Sequence, residues 1–401
     1  MDILKNYATL SFDKLLGTSN SLILLYIFTR QADTYLIDYT FLVSIISVIF
    51  AFNLAGTNVW GIRRCSLKGI YGQELFILSN GLYRLVFALP FSVLIILFYT
   101  INFTQINVIF VLTTGSYIML LQSNHFLSNI YLYYNRLKVY LRAVYCSRII
   151  NFILLIFFLM ENISVDVIIL ILSIIQLILF SYLSFCKFSM NMRKLKKLFL
   201  ISRFSVCSAK KFLFVSVLSL AGYRLTPFAM SFTNNQSLQY QFSLFFQILV
   251  SSLPFVILFS KLLTRNINYL FKNQPRQINT ILYICTTLAL LTPAIFASAI
   301  NLVDIQLELY SIPVSYVFCA GIVAFTMSVR TLVEHIIILL NSSWILTMVN
   351  LINTALLLLL VYQISSLSNL NYLIFTILVS EIIMISTLSA AANWVNNRRN
   401  L

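Results

Sequence analysis

Residues 187–211, KFSMNMRKLKKLFLISRFSVCSAKK, hold eight basic side chains (Lys187, Arg193, Lys194, Lys196, Lys197, Arg203, Lys210 and Lys211) and no acid. Hydrophobic runs separated by short polar loops fill the chain on either side. A basic stretch of this kind is costly to leave in hydrocarbon or to carry across a bilayer, so it marks a cytoplasmic surface. Its apolar members Leu195, Leu198, Phe199 and Phe204 allow a short helix to lie flat on anionic lipid headgroups. The stretch divides the chain into an N-terminal block, 1–186, a basic linker, 187–211, and a C-terminal block, 212–401.

Working outward, a membrane span needs about 20 mainly apolar residues. Twelve windows meet that requirement, near 8–29, 39–60, 76–99, 106–127, 143–160, 165–186, 212–232, 240–260, 278–300, 311–334, 343–364 and 372–392. The break between spans ten and eleven rests only on Asn341-Ser342-Ser343. The composition agrees with a polytopic, all-α membrane protein: 60% hydrophobic, 9% charged, mean hydropathy +0.93. A soluble domain carries about a quarter charged residues.

The net charge of +16 would point to nucleic acid in a soluble chain, but its distribution decides otherwise. All but four of the 27 basic residues (Lys14, Arg30, Arg84 and Arg224) fall in alternate loops or at adjoining helix ends, Arg142, Arg148 and Arg330 among the latter. The opposite loops hold Arg30 with Asp33, Asp38, Glu161, Asp166, Asp304 and Glu308. This is the positive-inside pattern, and it predicts both termini in the cytoplasm. The first span has no small-residue cleavage site and reads as uncleaved. Two six-helix blocks of the same orientation are candidate parallel repeats.

Motifs of soluble chemistry are missing: no Gly-x-x-x-x-Gly-Lys loop, no His-Glu-x-x-His, no Gly-x-Ser-x-Gly and no Asp-x-Asp. His125 and His335 lie near predicted helix ends, where solvent can reach them, and make no metal site. The six cysteines are scattered, so no disulfide framework is implied. The sequence predicts no enzyme, no metal and no cofactor.

Ionisable residues inside predicted spans remain, each costing about 2.5–3.5 kcal/mol even on the lenient insertion scale. They are Asp13 and Lys14 in span one, Arg84 in span three, Arg224 in span seven, Glu334 at the end of span ten and Glu381 in span twelve. At about 1.5 Å per residue, Lys14 lies roughly 9 Å, Arg84 about 13 Å and Arg224 about 18 Å from the inner ends of their helices. Arg30 sits at the outer rim. Such a graded series of cations suits a polyanion, because phosphate oxygens match guanidinium forks and low dielectric strengthens each contact. The alternative is internal pairing, Arg84 with Glu381 and Lys14 with Asp13. Glu381 and Asp13 are candidate coupling groups able to take up a proton or cation.

Several stretches resemble one known family. Span one, with Lys5-Asn6-Tyr7 and Lys14-Leu15-Leu16-Gly17, leads to a short loop with Asp33-Thr34-Tyr35. Span two follows with Phe52-Asn53-Leu54-Ala55-Gly56-Thr57 and a basic Arg63-Arg64 loop. Tyr133-Tyr134-Asn135-Arg136-Leu137-Lys138-Val139-Tyr140 precedes span five. Together these resemble the O-antigen type polysaccharide-biosynthesis flippases, in one superfamily with multidrug-extruding (MATE) exporters and peptidoglycan-precursor flippases. The resemblance implies two MATE-like six-helix lobes around a cationic cavity, working by alternating access in a bacterial inner membrane. The implied substrate is an undecaprenyl-diphosphate-linked oligosaccharide, with other glycan-assembly membrane proteins as possible partners and Arg84, Arg224, Lys14 and Arg30 as candidate substrate contacts. Two alternatives stand beside it: a membrane-embedded glycan polymerase or ligase, disfavoured by short outside loops, and a drug or metabolite antiporter of the same fold.

Overall fold

The computed structural model describes residues 2–31, 33–53, 90, 93–94, 97, 108–133, 137–161, 163–185, 224–230, 233, 235–274, 277–302, 306–307, 312–340, 342–365 and 369–399. Predicted span three, most of span seven and the basic stretch 187–211 lie largely or wholly outside these residues.

The described structure is helical apart from one short strand pairing. In chain order come α1 (Asp2–Gln31), α2 (Asp33–Asn53), α3 (Val108–Tyr133), α4 (Leu137–Glu161) and α5 (Val165–Phe185). A one-turn helix α6 (Thr226–Met230), α7 (Gln236–Asn273) and α8 (Gln277–Leu302) follow. Strands β1 (Gln306–Leu307) and β2 (Ile312–Pro313) pair antiparallel, and α9 (Val314–Leu339), α10 (Ser343–Ser365) and α11 (Leu370–Arg399) complete the order. Among the described residues, six helices are long and apolar enough to cross a membrane, in α4, α5 and α8–α11. The break between α9 and α10 falls at Leu340–Ser342, where the polar marker in the sequence placed it.

Contacts gather residues 1–18 and 221–401 into one compact unit and residues 19–220 into another. In the first, α9 packs against α7, α8, α10 and α11. It is buried on most sides, with Val317, Phe318, Gly321 and Phe325 its exposed positions. Small residues at Ala320 and Ala324 let neighbouring backbones come close. Facing it, α7 buries Phe242, Phe245 and Phe246 completely. The opening turns of α1 belong to this unit through Thr18, whose Oγ1 donates to the Ser251 carbonyl at 3.1 Å.

Pro293 sits inside α8 and has no N–H to give the carbonyl four residues earlier. The Thr292 hydroxyl takes over, donating to that Ala289 carbonyl at 2.7 Å. Where no water competes, this local rescue is what allows a proline within a span.

In the second unit α3 packs against α2, α4 and α5, and α4 against α5. Helix α4 shows two distinct faces. In α4, Val144, Ser147, Asn151, Leu155 and Phe158 are buried at spacings of three and four, while Ile149, Ile150, Ile153, Ile156 and Phe157 are exposed. An exposed face of that composition is a lipid face. Phe28, Tyr35, Tyr39 and Phe110 cluster between α1, α2 and α3, with ring centroids 4.7–6.2 Å apart. Gln31 ties the end of α1 to the start of α5, donating to the Ile163 carbonyl at 2.6 Å and accepting from the Val165 N–H at 2.8 Å.

Candidate functional site: a buried arginine between two glutamates

The densest charge among the described residues lies between α9 and α11. Arg330 Nη1 donates to Glu381 Oε1 at 2.7 Å and to Oε2 at 2.9 Å. One turn on, Glu334 Oε1 stands 3.3 Å from Arg330 Nε, the i, i+4 spacing that puts both side chains on one helix face. All three are buried: Arg330 is 4% exposed, Glu334 7% and Glu381 1%. With every group ionised the trio carries one more negative charge than positive.

A shell from α10 and α11 surrounds it. The Met384 sulfur is 3.9 Å from Arg330 Nη1 and accepts from Asn353 Nδ2 at 3.4 Å. Ser380 Oγ donates to Asn353 Oδ1 at 2.9 Å. Asn350, one turn before Asn353, is 1% exposed, and its Nδ2 has no partner among the described residues. Three helices thus aim polar groups at one spot inside an apolar bundle, an arrangement that membrane interiors keep for function.

The residues singled out from sequence fare unequally. Glu381 is at the heart of the cluster, where its described partner is Arg330. Arg84 lies outside the described residues, as do the side chains of Asp13 and Lys14, whose positions fall within α1. Arg224 is half-buried just before α6. Arg30 is exposed in the last turn of α1 with its guanidinium 4.8 Å from the Tyr26 ring centroid, a cation–π contact at the negative end of the helix dipole.

Expectations about depth are corrected at three places. Arg330 and Glu334 do not mark the inner end of a span: α9 runs on to Leu339, leaving Arg330 ~14 Å inside it. Arg148 likewise lies ~14 Å inside the span that begins at Val139. His335 is buried at 6% exposure, not solvated at a helix end. The signal was present: Ile336-Ile337-Ile338-Leu339-Leu340 continues the apolar run past Glu334, and a span drawn over 143–160 already encloses Arg148 and reaches about 20 residues only by extending back past Arg142.

No protein-family model matches the chain, and no curated protein matches it. Solved structures do. A eukaryotic MATE transporter, AtDTX14, is similar with a TM-score of 0.56 at 14% identity over 98% of both chains. A point mutant of the Vibrio cholerae MATE transporter VcmN gives 0.46 at 12% identity, over 98% of this chain and 96% of that one. A MOP-superfamily transporter from Pyrococcus furiosus gives 0.40 at 11% identity over 96% of each. At these identities the likeness is one of fold: this chain is a multi-pass membrane protein with the helical architecture of a MATE transporter.

Proposed function

We propose that this chain is a transporter that flips an undecaprenyl-diphosphate-linked oligosaccharide, an O-antigen or capsule repeat unit, from the cytoplasmic to the outer leaflet of a bacterial inner membrane by alternating access. What supports the reading is the likeness in fold to a MATE transporter, in a chain with Arg148 and Arg330 inside described helices and with Arg84 and Arg224 in spans predicted from the sequence. A diphosphate leaving water needs donors that replace its hydration, and guanidinium groups in low dielectric supply them. Arg84 and Arg224, with Lys14 nearer the inner surface and Arg30 at the outer rim, hand the diphosphate across while the polyprenyl tail stays in lipid. Glu381, with Asp13, serves coupling. Glu381 and Glu334 are carboxyl groups able to take up a proton, so opening the Arg330 cluster to water on one side and then the other would carry a proton across.

The same buried carboxylates favour a second reading, an antiporter for organic cations. Reconstituted full-length protein separates the two. With a fluorescent lipid-linked oligosaccharide in liposomes, wild type should flip the probe. Arg84→Ala and Arg224→Ala should insert normally and lose about tenfold or more of the rate, one lost charge-assisted contact each. Transport of ethidium with no movement of the lipid-linked probe would establish the antiporter instead.

A further inference from the structure

The outward faces of α8, α10 and α11 share one pattern. Helix α11 packs against both α8 and α10. Asn396 and Asn397 clasp its end to Asn279 at the start of α8, and the short segment 366–369 joins α10 to its start. The starts of α8 and α10 therefore lie with the end of α11, and the end of α10 lies with the start of α11. At the first level stand Tyr283, Trp344 and Trp394, and at the second Tyr362 and Tyr372, each more than half exposed. At about 1.5 Å per residue, Trp344 is about 27 Å from Tyr362 along α10, and Tyr372 is about 33 Å from Trp394 along α11. The two spacings bracket the hydrocarbon thickness of a bilayer, about 30 Å.

Between the two levels the exposed side chains are mainly large and apolar, among them Leu291, Ile295, Ile352, Leu356, Leu359 and Ile383. Over 283–298, 344–362 and 372–394 the one charged residue is Glu381, and it is turned inward. The exposed hydroxyls of Thr287, Ser298 and Thr387 each donate to the carbonyl four residues earlier, of Tyr283, Ala294 and Ile383, at 2.8–3.0 Å. Their O–H groups are thus spent within their own helices, which suits a solvent that offers no acceptor. Exposed amides keep to the two ends. Gln363 and Asn371 adjoin Tyr362 and Tyr372, and Gln277 and Asn397 lie beyond Tyr283 and Trp394.

We infer that these faces of α8, α10 and α11 form one wall covered by phospholipid, with acyl chains on the aliphatic band and headgroups at two aromatic rims. Trp and Tyr suit such rims because each joins an apolar ring to a polar N–H or O–H. The rim of Tyr283, Trp344 and Trp394 is the cytoplasmic one, since Arg398 and Arg399 follow Trp394 in the sequence. Tyr362 and Tyr372 form the outer rim. A modest difference in tilt takes up the unequal spacings of α10 and α11. The rims also fix a depth: Glu381 lies about 14 Å along α11 from Tyr372 and about 20 Å from Trp394, near mid-bilayer and on its outer side. The assignment holds for either transport reading.

The test is tryptophan quenching in full-length protein, held in nanodiscs of phosphatidylcholine brominated either near the headgroup or near the chain end. The chain has three tryptophans, Trp60, Trp344 and Trp394. Trp60→Phe combined with Trp394→Phe or Trp344→Phe leaves one rim residue to report alone. Near-headgroup bromines should quench each of the two more than chain-end bromines do. With all three tryptophans replaced by Phe, Tyr362→Trp and Tyr372→Trp should give the same order, and Leu356→Trp and Ile383→Trp the reverse. Where a multiple variant fails to insert, the signal lost between wild type and Trp394→Phe, or Trp344→Phe, reads that residue on the native background. Chain-end preference at Trp344 or Trp394 would mean that the rims are misplaced. Leu356→Trp and Ile383→Trp quenched by neither lipid would mean that a second copy or another protein covers the wall, and quenching of both by aqueous iodide would mean that water does. Each of these results overturns the inference.

Discussion

Arg330 and Glu381 are 51 positions apart in sequence and 2.7 Å apart in space, and each is more than nine-tenths buried. Removing one member of such a pair strands a charge in low dielectric, at about 3–5 kcal/mol, whereas removing both costs far less. Glu381→Gln and Arg330→Gln should therefore each lower the melting temperature of the purified protein, and the double variant should lie well above the sum of the single losses. Additive losses would show that the contact contributes nothing. The pair's existence was legible in the sequence only by half. Glu381, alone among apolar neighbours in span twelve, announces a buried carboxylate. Its partner could not be chosen, because nothing local ranks Arg330 above Arg84. The i, i+4 spacing of Arg330 and Glu334 was visible, but a span drawn to end at 334 disguised it as a solvated helix end. The exposed, self-bonded hydroxyls of Thr287 and Thr387 were beyond reach, since only packing distinguishes a hydroxyl that bonds its own helix from one that does not.

At the scale of helices, hydropathy finds the described spans and underestimates their length. It measures the cost of entering a bilayer, and a helix does not stop where that cost changes sign. α7 has 38 residues, about 57 Å, against a hydrocarbon core of about 30 Å, and its last turns carry Lys261, Arg265 and Lys272. The window predicted for α11 closes at 392, but the helix continues to Arg399. There Asn396 donates to Asn279 Oδ1 and Asn279 to Asn397 Oδ1, both at 2.8 Å, clasping the end of α11 to the start of α8. Helix α9 gives the sharpest test of packing. Gly321 is exposed, and a Cβ added there meets nothing within 4 Å. Gly321→Ala should thus be neutral or stabilising, by up to about 1 kcal/mol of helix propensity. Ala324, on the next turn, is 0% exposed, and Ala324→Leu should cost about 1–3 kcal/mol by overpacking. Thermal denaturation followed by fluorescence reads both. A destabilising Gly321→Ala would mean that this face of α9 is covered by a partner helix.

For the whole molecule, the membrane orientation rests on charge alone. The predicted inner loops collect nearly all the basic residues and the outer ones mostly acids, so an odd error in the number of spans would scramble the alternation. The residues 187–211 weigh most, since eight cations held on one face resist the membrane potential more strongly than any other loop. The argument extends to α10 and α11: if the polar break at Leu340–Ser342 lies inside, the α10–α11 connection around Asn369 must lie outside. Single cysteines in a cysteine-free background test each step. At Asn235 and Asn369 they should react with an impermeant thiol reagent in intact cells, and at Lys68, Lys196 and Asn273 only after permeabilisation. Cys285 and Cys319 are buried, so restoring either to that background should add no label. The informative site is Asn369, because α9, α10 and α11 together carry the Arg330 cluster. Labelling of Asn369 only after permeabilisation, with Asn235 still reactive outside, would invert the last helices and reverse the direction in which an ion could pass through Glu381.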